Sequence, residues 1–429
     1  MEINKKELAE KVKAEFMHAW NGYKKYAFGH DELRPLSKTP YDWYDDSLCI
    51  TPIDAFDTMV LMGLTKDKNE AKQLIFEELS FDKNIYVSVF EITIRILGGL
   101  ISAYLLDGNK KFLKLSEDLA NRLLPTFNSK TGMPFRFVNF KTGAVRGKIN
   151  NPAEIGTLLV EFGSLSKLTG NPVYYDRAKK ALVELYNRRS KIGLVGTTIN
   201  VETGKWINKE SSIGNKIDSY YEYLLKSYLL FKDMDCKKMW ETSIKSVNKY
   251  LADSKNNGYW YRQVDMDTGK KISTKFEALA AVFPSIFALS GDLTRAKKLQ
   301  DSCFKMWTTF DIEPEQIDYK TMKIKLATYR LRPENIESAY YLYHYTKEEK
   351  YLKMGKIYLE SIIKYCKTEE GYAELKSVIT KEKRDRMSSF FLAETLKYLY
   401  LLFAPKNTLN FDKIIFNTEA HPIQKNICG

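Results

Sequence analysis

Cysteine and histidine are both scarce in this chain of 429 residues. The cysteines are few, odd in number and far apart, which argues against a disulfide framework and against a zinc knuckle. They are Cys49, Cys236, Cys303, Cys366 and Cys428. The histidines (His18, His30, His344 and His421) show neither metal-site spacing nor a nucleophile motif. Nucleophilic catalysis assisted by histidine therefore fits this chain badly.

Long apolar runs and blocks of positive charge are also missing. Residues 2–7 (EINKKE) form no apolar leader, and no later run reaches the length of a transmembrane segment. The net charge of +13 is spread over the chain, without zinc-finger spacing, an RNP-like motif or a glycine-rich phosphate loop. We expect this chain to contain no transmembrane segment and to bind no nucleic acid.

Carboxylates stand where a helical protein rarely places them, among aliphatic and aromatic neighbours. Burying an unpaired carboxylate is costly, so such groups are normally paired, bound to a metal or used in chemistry. Four segments have this character: residues 89–95 (VFEITIR), 217–224 (IDSYYEYL), 331–338 (LRPENIES) and 389–395 (SFFLAET). Together they predict one acidic cavity. The 28 tyrosines offer rings and hydroxyls for a sugar, with core filling as the alternative for any single one.

Helical patterns separated by regular joints predict an all-α fold. Four joints contain a glycine suited to a left-handed helix end, and three weaker joints lack one. They lie near Gly63, Gly108, Gly170, Gly291 and residues 231–233, 345–347 and 403–405. The spacing suits a helix pair plus a loop, and neighbouring pairs must stack to bury their apolar faces. An open solenoid is the alternative, but the acidic segments favour closure of the pairs into a ring.

Short β-hairpins are predicted between the helix pairs. Glycine-containing stretches such as residues 141–144 and 202–205 are flanked by alternating apolar and polar residues, as in residues 198–201. We place these hairpins at one mouth of the ring. No Pro/Ser-rich linker divides the chain, so we predict a single domain, with residues 1–32 as a helical lead-in and residues 33–429 as the main body.

Residue spacing within the acidic segments suggests which side chains share a helix face. Glu91 and Arg95 are four residues apart and can form an ion pair, and Asp218 and Glu222 have the same spacing.

The two later segments show comparable spacing. Pro333 suits a first helical position, which places Glu334 in the first turn with Arg332 as a natural partner. Phe390 and Glu394 are again four residues apart. Glycoside hydrolysis needs a proton donor, a base or nucleophile and an apolar ring for the sugar, and these segments supply all three.

At this point the segments resemble the signature motifs of the class I α-1,2-mannosidases, glycoside hydrolase family forty-seven. The matching stretches are residues 87–104, 193–196, 218–226, 329–334, 389–402 and 416–422, in the order in which the family has them. The resemblance covers the chain from about Leu33 to Pro422. It implies an (α/α)7 barrel and a calcium-dependent, inverting exo-α-1,2-mannosidase that trims high-mannose N-glycans or oligomannose.

The same resemblance implies a role for individual residues. Glu91 would be the general acid and Glu334 the general base, with Asp218 a catalytic carboxylate that is sometimes assigned the acid role instead. The implied substrate-binding residues are Arg95, Arg332, Phe390, Glu394, Glu337 and Glu222. A Ca²⁺ ion would be bound by the hydroxyl and backbone oxygen of Thr418, and by Glu419, Glu394 and Glu337 through waters.

Some positions depart from the processing enzymes of the family. Ala278 and Ala281 stand where those enzymes carry a His and a disulfide-forming Cys, so Cys303 is expected to be a free thiol. Lys216 stands where an Arg often precedes the catalytic Asp. Together with residues 54–59 (DAFDTM), these features are closest to the branch of ER degradation-enhancing α-mannosidase-like proteins. That branch implies high-mannose glycans or glycoproteins as partners, and a redox or chaperone protein as a further one.

Two other functions and the location stay open at this point. A mannose-binding, lectin-like module with little turnover is the main alternative to the enzyme, and a helical interaction scaffold is another. The family implies the secretory lumen. The absence of an apolar leader and of Asn-X-Ser/Thr acceptors also fits a bacterial enzyme that is exported or delivered to a host.

Overall fold

At six of the seven predicted joints a residue adopts the left-handed conformation that closes a helix, and at residues 403–405 the helix ends at Ala404, which is extended. Gly170, with φ of 75°, ends one helix, and the side chain of Asn171 then accepts the Val173 N–H at 3.2 Å to start the next. At two of the weaker joints a lysine takes this conformation, with φ of 58° at Lys232 and 60° at Lys347. The helix boundaries at these joints were therefore predicted correctly.

The computed structural model of the chain describes residues 3–254 and 258–428. Its α-helices are α1 (Lys5–Tyr26), α2 (Ile50–Asp54), α3 (Phe56–Leu61), α4 (Thr65–Glu78), α5 (Val89–Ile92), α6 (Gly98–Asp107), α7 (Lys110–Leu123), α8 (Pro152–Gly156), α9 (Leu159–Thr169), α10 (Pro172–Asn187), α11 (Asp218–Phe231), α12 (Met234–Tyr250), α13 (Phe283–Leu289), α14 (Leu293–Thr309), α15 (Glu334–Thr346), α16 (Glu349–Cys366) and α17 (Leu396–Phe403). Two π-helical segments are Thr93–Leu97 and Phe391–Thr395. Short 3₁₀ turns are Leu124–Phe127, Ala278–Val282, Lys406–Thr408, Phe411–Lys413 and Lys425–Cys428.

The helices form an inner and an outer layer, which their burial patterns distinguish. The inner α15 buries every residue from Glu334 to Leu342. The outer α7 instead buries one stripe, including Phe112, Leu119 and Leu123, and exposes its lysines. Inner helices contact their neighbours in the order α3, α6, α9, α11, α13, α15 and α17, and the π-helical segment before α17 returns to α3. The inner helices therefore close into a ring, as predicted.

Six of the predicted joints connect an inner helix to its outer partner, from α3–α4 to α15–α16. The seventh, at residues 403–405, ends α17, whose outer partner is α1 from the other end of the chain. Phe16, Trp20 and Tyr23 of α1 are fully buried in the common core. The division at residue 32 stays a prediction, although α1 packs as part of the helix ring.

Within the described residues, one helical stretch (Val89–Asp107) is long and apolar enough to cross a membrane by length and composition. Its most apolar window is 72% buried inside the protein. An inner helix of a closed ring needs apolar residues on every side, which accounts for this composition.

Short antiparallel strands surround one end of the ring, as predicted, with the exception of the last pair. The strands are β1 (Glu32–Arg34), β2 (Thr39–Tyr41), β3 (Tyr86–Ser88), β4 (Phe137–Asn139), β5 (Val145–Arg146), β6 (Ile149–Asn150), β7 (Thr198–Asn200), β8 (Trp206–Asn208), β9 (Glu210–Ser211), β10 (Ala252–Asp253), β11 (Trp260–Tyr261), β12 (Gln263–Asp265), β13 (Lys271–Ser273), β14 (Lys275–Glu277), β15 (Gln316–Asp318), β16 (Lys323–Leu326), β17 (Lys367–Thr368), β18 (Gly371–Tyr372), β19 (Glu374–Leu375), β20 (Lys383–Arg384), β21 (Ile414–Phe416) and β22 (Pro422–Gln424). The last pair, β21 and β22, packs against the inner helices, and its Gln424 donates to Leu105 O near the C-terminal end of α6. The three-stranded sheets have the orders β3-β4-β5, β6-β7-β8, β13-β12-β9 and β14-β15-β16. Strand β3 leads directly into α5 and β6 into α8, so these sheets deliver the chain to the N-terminal ends of inner helices.

Candidate active site

A cavity of about 610 Å³ lies where the hairpins meet the N-terminal ends of the inner helices. All eleven residues predicted to act in catalysis, substrate binding or metal binding line this cavity. They are Glu91, Arg95, Asp218, Glu222, Arg332, Glu334, Glu337, Phe390, Glu394, Thr418 and Glu419. The structure therefore brings together residues from five distant parts of the sequence, while their individual roles stay predictions.

Helix starts position the three predicted catalytic carboxylates. Glu91, Asp218 and Glu334 each lie in the first turn of α5, α11 or α15. Unpaired backbone N–H groups at a helix start favour a nearby negative charge. Pro333 lies just before the first residue of α15 rather than within it, one position earlier than predicted.

Two π-helical segments shape the cavity wall. Thr93–Leu97 contains Arg95, and Phe391–Thr395 contains Glu394. The wider π-helical turn disturbs the regular backbone pairing, and such turns are frequent at functional sites. Polar side chains satisfy the carbonyls concerned: Asn417 Nδ2 donates to Ile94 O at 2.8 Å, and Thr58 Oγ1 donates to Leu392 O at 3.0 Å.

Arg95 connects the wall of the cavity to its floor. Its Nε donates to Glu91 Oε2 at 2.9 Å, which confirms the predicted ion pair, and its Nη1 contacts Glu419. The guanidinium carbon lies 5.3 Å from the ring centre of Trp43 and 5.7 Å from that of Phe390. Arg95 therefore fixes two carboxylates and supports the ring that was predicted to contact the sugar.

Glu334 is buried and poorly paired. Arg332 donates Nε and Nη2 to the two oxygens of Glu315 at 2.9 and 3.0 Å, so only its Nη1 remains near Glu334, at 3.8 Å. Glu334 Oε2 has no hydrogen-bond partner among the described residues. Burial raises the pKa of Glu334 to about 7, which Arg332 opposes only in part. This carboxyl can therefore take up and release a proton near neutral pH.

The turn between β21 and β22 carries Thr418 to the cavity floor. Thr418 Oγ1 donates to Glu222 Oε2 at 2.9 Å, and its backbone N–H donates to the Tyr223 hydroxyl at 3.2 Å. The other oxygen of Glu222 contacts Lys226, and both side chains are 2% exposed. Helix α11 thereby holds the turn in place and also supplies Asp218 at its start.

The floor holds more negative charge than its few cations can balance. Burial raises the pKa of Asp218, Glu337 and Glu419 to about 8, and repulsion from neighbouring carboxylates adds to each shift. The pKa of Glu394 is raised well above its usual value by burial, with Glu419 as the next cause. Such a group is stabilised either by protons or by a bound cation.

The oxygen atoms on the floor determine which metal the site can accept. Thr418 offers a hydroxyl and a carbonyl oxygen, and the surrounding side chains are carboxylates, which suit a hard cation such as Ca²⁺. Within residues 3–254 and 258–428, no group of three His, Cys, Asp or Glu side chains is arranged to hold a metal ion. The oxygen atoms around Thr418 are therefore of a type that fits a hard cation.

Several cavity residues were not predicted from the sequence. Arg136 forms a bidentate ion pair with Glu154 on the cavity wall. Its Nε donates to Oε2 at 2.7 Å and its Nη2 donates to Oε1 at 2.6 Å. Trp43 also lines the cavity, and Glu315 holds Arg332 from behind the lining. Trp43 lies in an acidic and aromatic stretch, residues 41–46 (YDWYDD), and this signal could have found it. Only their contacts in the folded chain identify Arg136 and Glu315.

The chain belongs to glycosyl hydrolase family 47, since the model of that family matches residues 15–425. It is therefore a glycoside hydrolase. The ER degradation-enhancing alpha-mannosidase-like protein 2 of Mus musculus is 39% identical over 451 residues, which cover 96% of this chain and 77% of that protein. The mannosyl-oligosaccharide 1,2-alpha-mannosidase MNS1 of Arabidopsis thaliana is 35% identical over 448 residues, covering 98% and 79%.

A solved structure gives the same result for the fold. The alpha-1,2-mannosidase from Trichoderma reesei superimposes with a TM-score of 0.89 and 30% identity, covering 97% of this chain and 98% of that one. The predicted (α/α)7 barrel is thereby confirmed, as is the resemblance to class I mannosidases and their ER degradation-enhancing branch.

Proposed function

We propose that this glycoside hydrolase is a calcium-dependent, inverting exo-α-1,2-mannosidase that removes terminal mannose from high-mannose N-glycans or oligomannose. The observation that carries the proposal is that Glu91, Asp218, Glu334 and Thr418 line one cavity. The names of the related mannosidases point to the sugar and the linkage.

Glu334 is the proposed general base. Its pKa of about 7 and its unpartnered Oε2 leave it free to accept a proton from water. In the proposed step, this water attacks C1 of the terminal mannose opposite the departing oxygen, and the C1–O bond breaks. The departing oxygen takes a proton from the general acid, so Glu334 ends protonated and the acid ends ionised. The released sugar is β-mannose.

Two carboxyl groups are candidates for the proton donor. Glu91 is already engaged by Arg95 at 2.9 Å. Asp218 accepts a hydrogen bond from the backbone N–H of Ser219 at 2.8 Å, and its pKa of about 8 keeps it protonated at neutral pH. We therefore favour Asp218 as the donor and assign to Glu91 the orientation of Arg95, which reverses the assignment implied by the resemblance.

Thr418 would hold the metal through its hydroxyl and carbonyl oxygen, with Glu419, Glu394 and Glu337 acting through waters. A bound Ca²⁺ would bind sugar hydroxyls and offset the negative charge of the floor. The buried, like-charged carboxylates around Thr418 support this proposal, since they are costly without a cation. Phe390, half-buried on the wall, would stack on the apolar face of the mannose ring.

The rival function is a lectin-like module that binds mannose with little turnover. The experiment incubates the chain with oligomannose in calcium, in a chelator, and as the Glu334→Gln variant. The proposal expects free mannose only from the unmodified chain in calcium. Glycan binding without mannose release in saturating calcium would favour the lectin.

A redox or chaperone partner is a further part of the proposal. The four cysteines whose side chains the structure describes, Cys49, Cys236, Cys303 and Cys366, are buried free thiols. We therefore do not place the contact of a redox partner on these four thiols.

A further inference from the structure

Beneath the cavity floor lies a fully buried group of charges for which the proposed chemistry has no use. It consists of Asp54, Asp57, Lys397 and His421, and the side chains of all four are at most 1% exposed. They come from α2, α3, α17 and the turn that carries Thr418. Two anions and two potential cations buried together need a physical reason, because apolar residues would fill the same space without the desolvation free energy that buried charges cost.

His421 is held by two carboxylates. Its Nδ1 lies 2.7 Å from Asp57 Oδ2, and its Nε2 lies 3.3 Å from Asp54 Oδ1. Lys397 Nζ forms an ion pair with Asp57 Oδ1 at 2.6 Å. The Ser102 hydroxyl donates to Asp57 Oδ2 at 2.9 Å. The group therefore has a defined geometry and little freedom to rearrange.

Lys397 and His421 of this group, together with Asn417, hold the backbone of the Thr418 turn. Lys397 Nζ donates to Ala420 O at 2.7 Å, and Ala420 has a φ of 58°, in the left-handed region that non-glycine residues rarely adopt. Asn417 Oδ1 accepts the backbone N–H of His421 at 2.8 Å, and the Asn417 N–H donates to His421 O at 3.0 Å. The turn is thus fixed at both ends by groups that do not face the cavity.

Helix α6 begins with two glycines, which leave room for this turn and for α2. A Cβ on Gly98 would lie 2.5 Å from Asn417 Nδ2, and one on Gly99 would lie 2.7 Å from Ile53 Cγ2 and 3.3 Å from His421 Cε1. Asp54 Oδ2 also lies 3.6 Å from Arg95 Nη1, the atom that contacts Glu419. The buried charges and the floor of the cavity therefore share a connected set of contacts.

We infer that Asp54, Asp57, Lys397 and His421 form a charged clamp that positions the Thr418 turn for cation binding. The inference rests on the proposed calcium dependence and extends it to residues that touch neither the sugar nor the ion. These are positioning residues: they set the affinity for the cation through the turn. Outer residues of this kind typically change metal affinity by about 10- to 100-fold when replaced.

The test compares calcium binding to the unmodified chain and to His421→Gln by isothermal titration calorimetry, beside a thermal melt. We expect His421→Gln to raise the calcium Kd by about tenfold or more. Saturating calcium should then restore most of the kcat on oligomannose. Ser102→Ala, which removes one hydrogen bond and no charge, provides a milder variant if His421→Gln fails to fold, and it should raise the Kd by a smaller factor.

Glu15→Gln is the matched control. Glu15 is a buried carboxylate on α1 that accepts from Lys367 and Tyr372 at 2.5 and 2.6 Å, away from the cavity. The Glu15→Gln substitution should lower the melting temperature and leave the calcium Kd unchanged. A folded His421→Gln or Ser102→Ala chain with the calcium Kd of the unmodified chain would overturn the clamp. No calcium binding by the unmodified chain would instead overturn the proposed calcium dependence itself.

Discussion

Arg332 and Glu315 form a bidentate ion pair that keeps the guanidinium of Arg332 from contacting Glu334 directly. The Nε–Oε1 and Nη2–Oε2 distances are 2.9 and 3.0 Å, against 3.8 Å from Nη1 to Glu334 Oε1. Glu315 also adds negative charge near Glu334. The proposed base thus sits beside an arginine without being neutralised by it, which preserves its raised pKa.

Replacing Glu315 by Gln should therefore lower the pKa of Glu334, because it removes a like charge and frees Arg332 to approach. The acidic limb of the kcat/KM profile should move to lower pH by roughly one unit. Glu154→Gln breaks the comparable bidentate ion pair with Arg136 and should leave the acidic limb of the kcat/KM profile at its original pH. An unchanged limb in Glu315→Gln would contradict the role assigned to this pair.

The identity of the proton donor can be tested with a substrate that needs no donor. Asp218→Asn should lower kcat/KM on oligomannose by about 10²- to 10⁴-fold and have a far smaller effect on α-mannosyl fluoride, since fluoride departs without protonation. Glu91→Gln should impair both substrates, because it disturbs Arg95. If instead Asp218→Asn impaired both substrates and Glu91→Gln spared α-mannosyl fluoride, Glu91 would be the proton donor.

Stability should depend on pH in a direction set by the floor carboxylates. Their folded-state pKa values of about 7 to 8 lie above the ordinary 4.5. At pH values between 4.5 and about 8, the folded chain binds more protons than the unfolded chain. Without calcium, the free energy of unfolding therefore falls as pH rises through this range.

Calcium competes with these protons, so it should raise the melting temperature more at pH 8 than at pH 5. Melts with and without a chelator at both values measure this difference. An equal calcium effect at the two pH values would contradict the link between the floor carboxylates and the metal.

Gly98→Ala tests the close contact between α6 and the turn. The added Cβ would lie 2.5 Å from Asn417 Nδ2, so we expect a loss of about 1–3 kcal/mol in unfolding free energy together with weaker calcium binding. Gly163→Ala is a matched control, since its Cβ would meet the Phe231 ring at 2.5 Å rather than a residue of the turn. It should destabilise the chain without changing calcium affinity.

The fold was largely predictable because its signals are local. A left-handed residue at Gly170 or Lys232 ends a helix whatever surrounds it, and the repeat of such joints predicts stacked pairs. The partnership of α1 with α17 could not be predicted this way, because the two helices lie at opposite ends of the sequence.

The residues of the site were predictable from their segments, but their contacts were predictable only where the partners are near in sequence. Glu91 and Arg95 share one helical stretch, so their ion pair follows from spacing. Arg332 was expected to pair with Glu334, two residues away, but its stronger partner is Glu315, brought in by another part of the chain. The π-helical segments and the contacts of His421 likewise depend on packing rather than on local sequence.

The central claim is inverting, calcium-dependent hydrolysis of terminal mannose, and an NMR time course of oligomannose digestion tests it most directly. In calcium, the signal of β-mannose should appear first and convert slowly to the equilibrium mixture, and a chelator should abolish release. Initial release of α-mannose, or release unaffected by the chelator, would contradict the account.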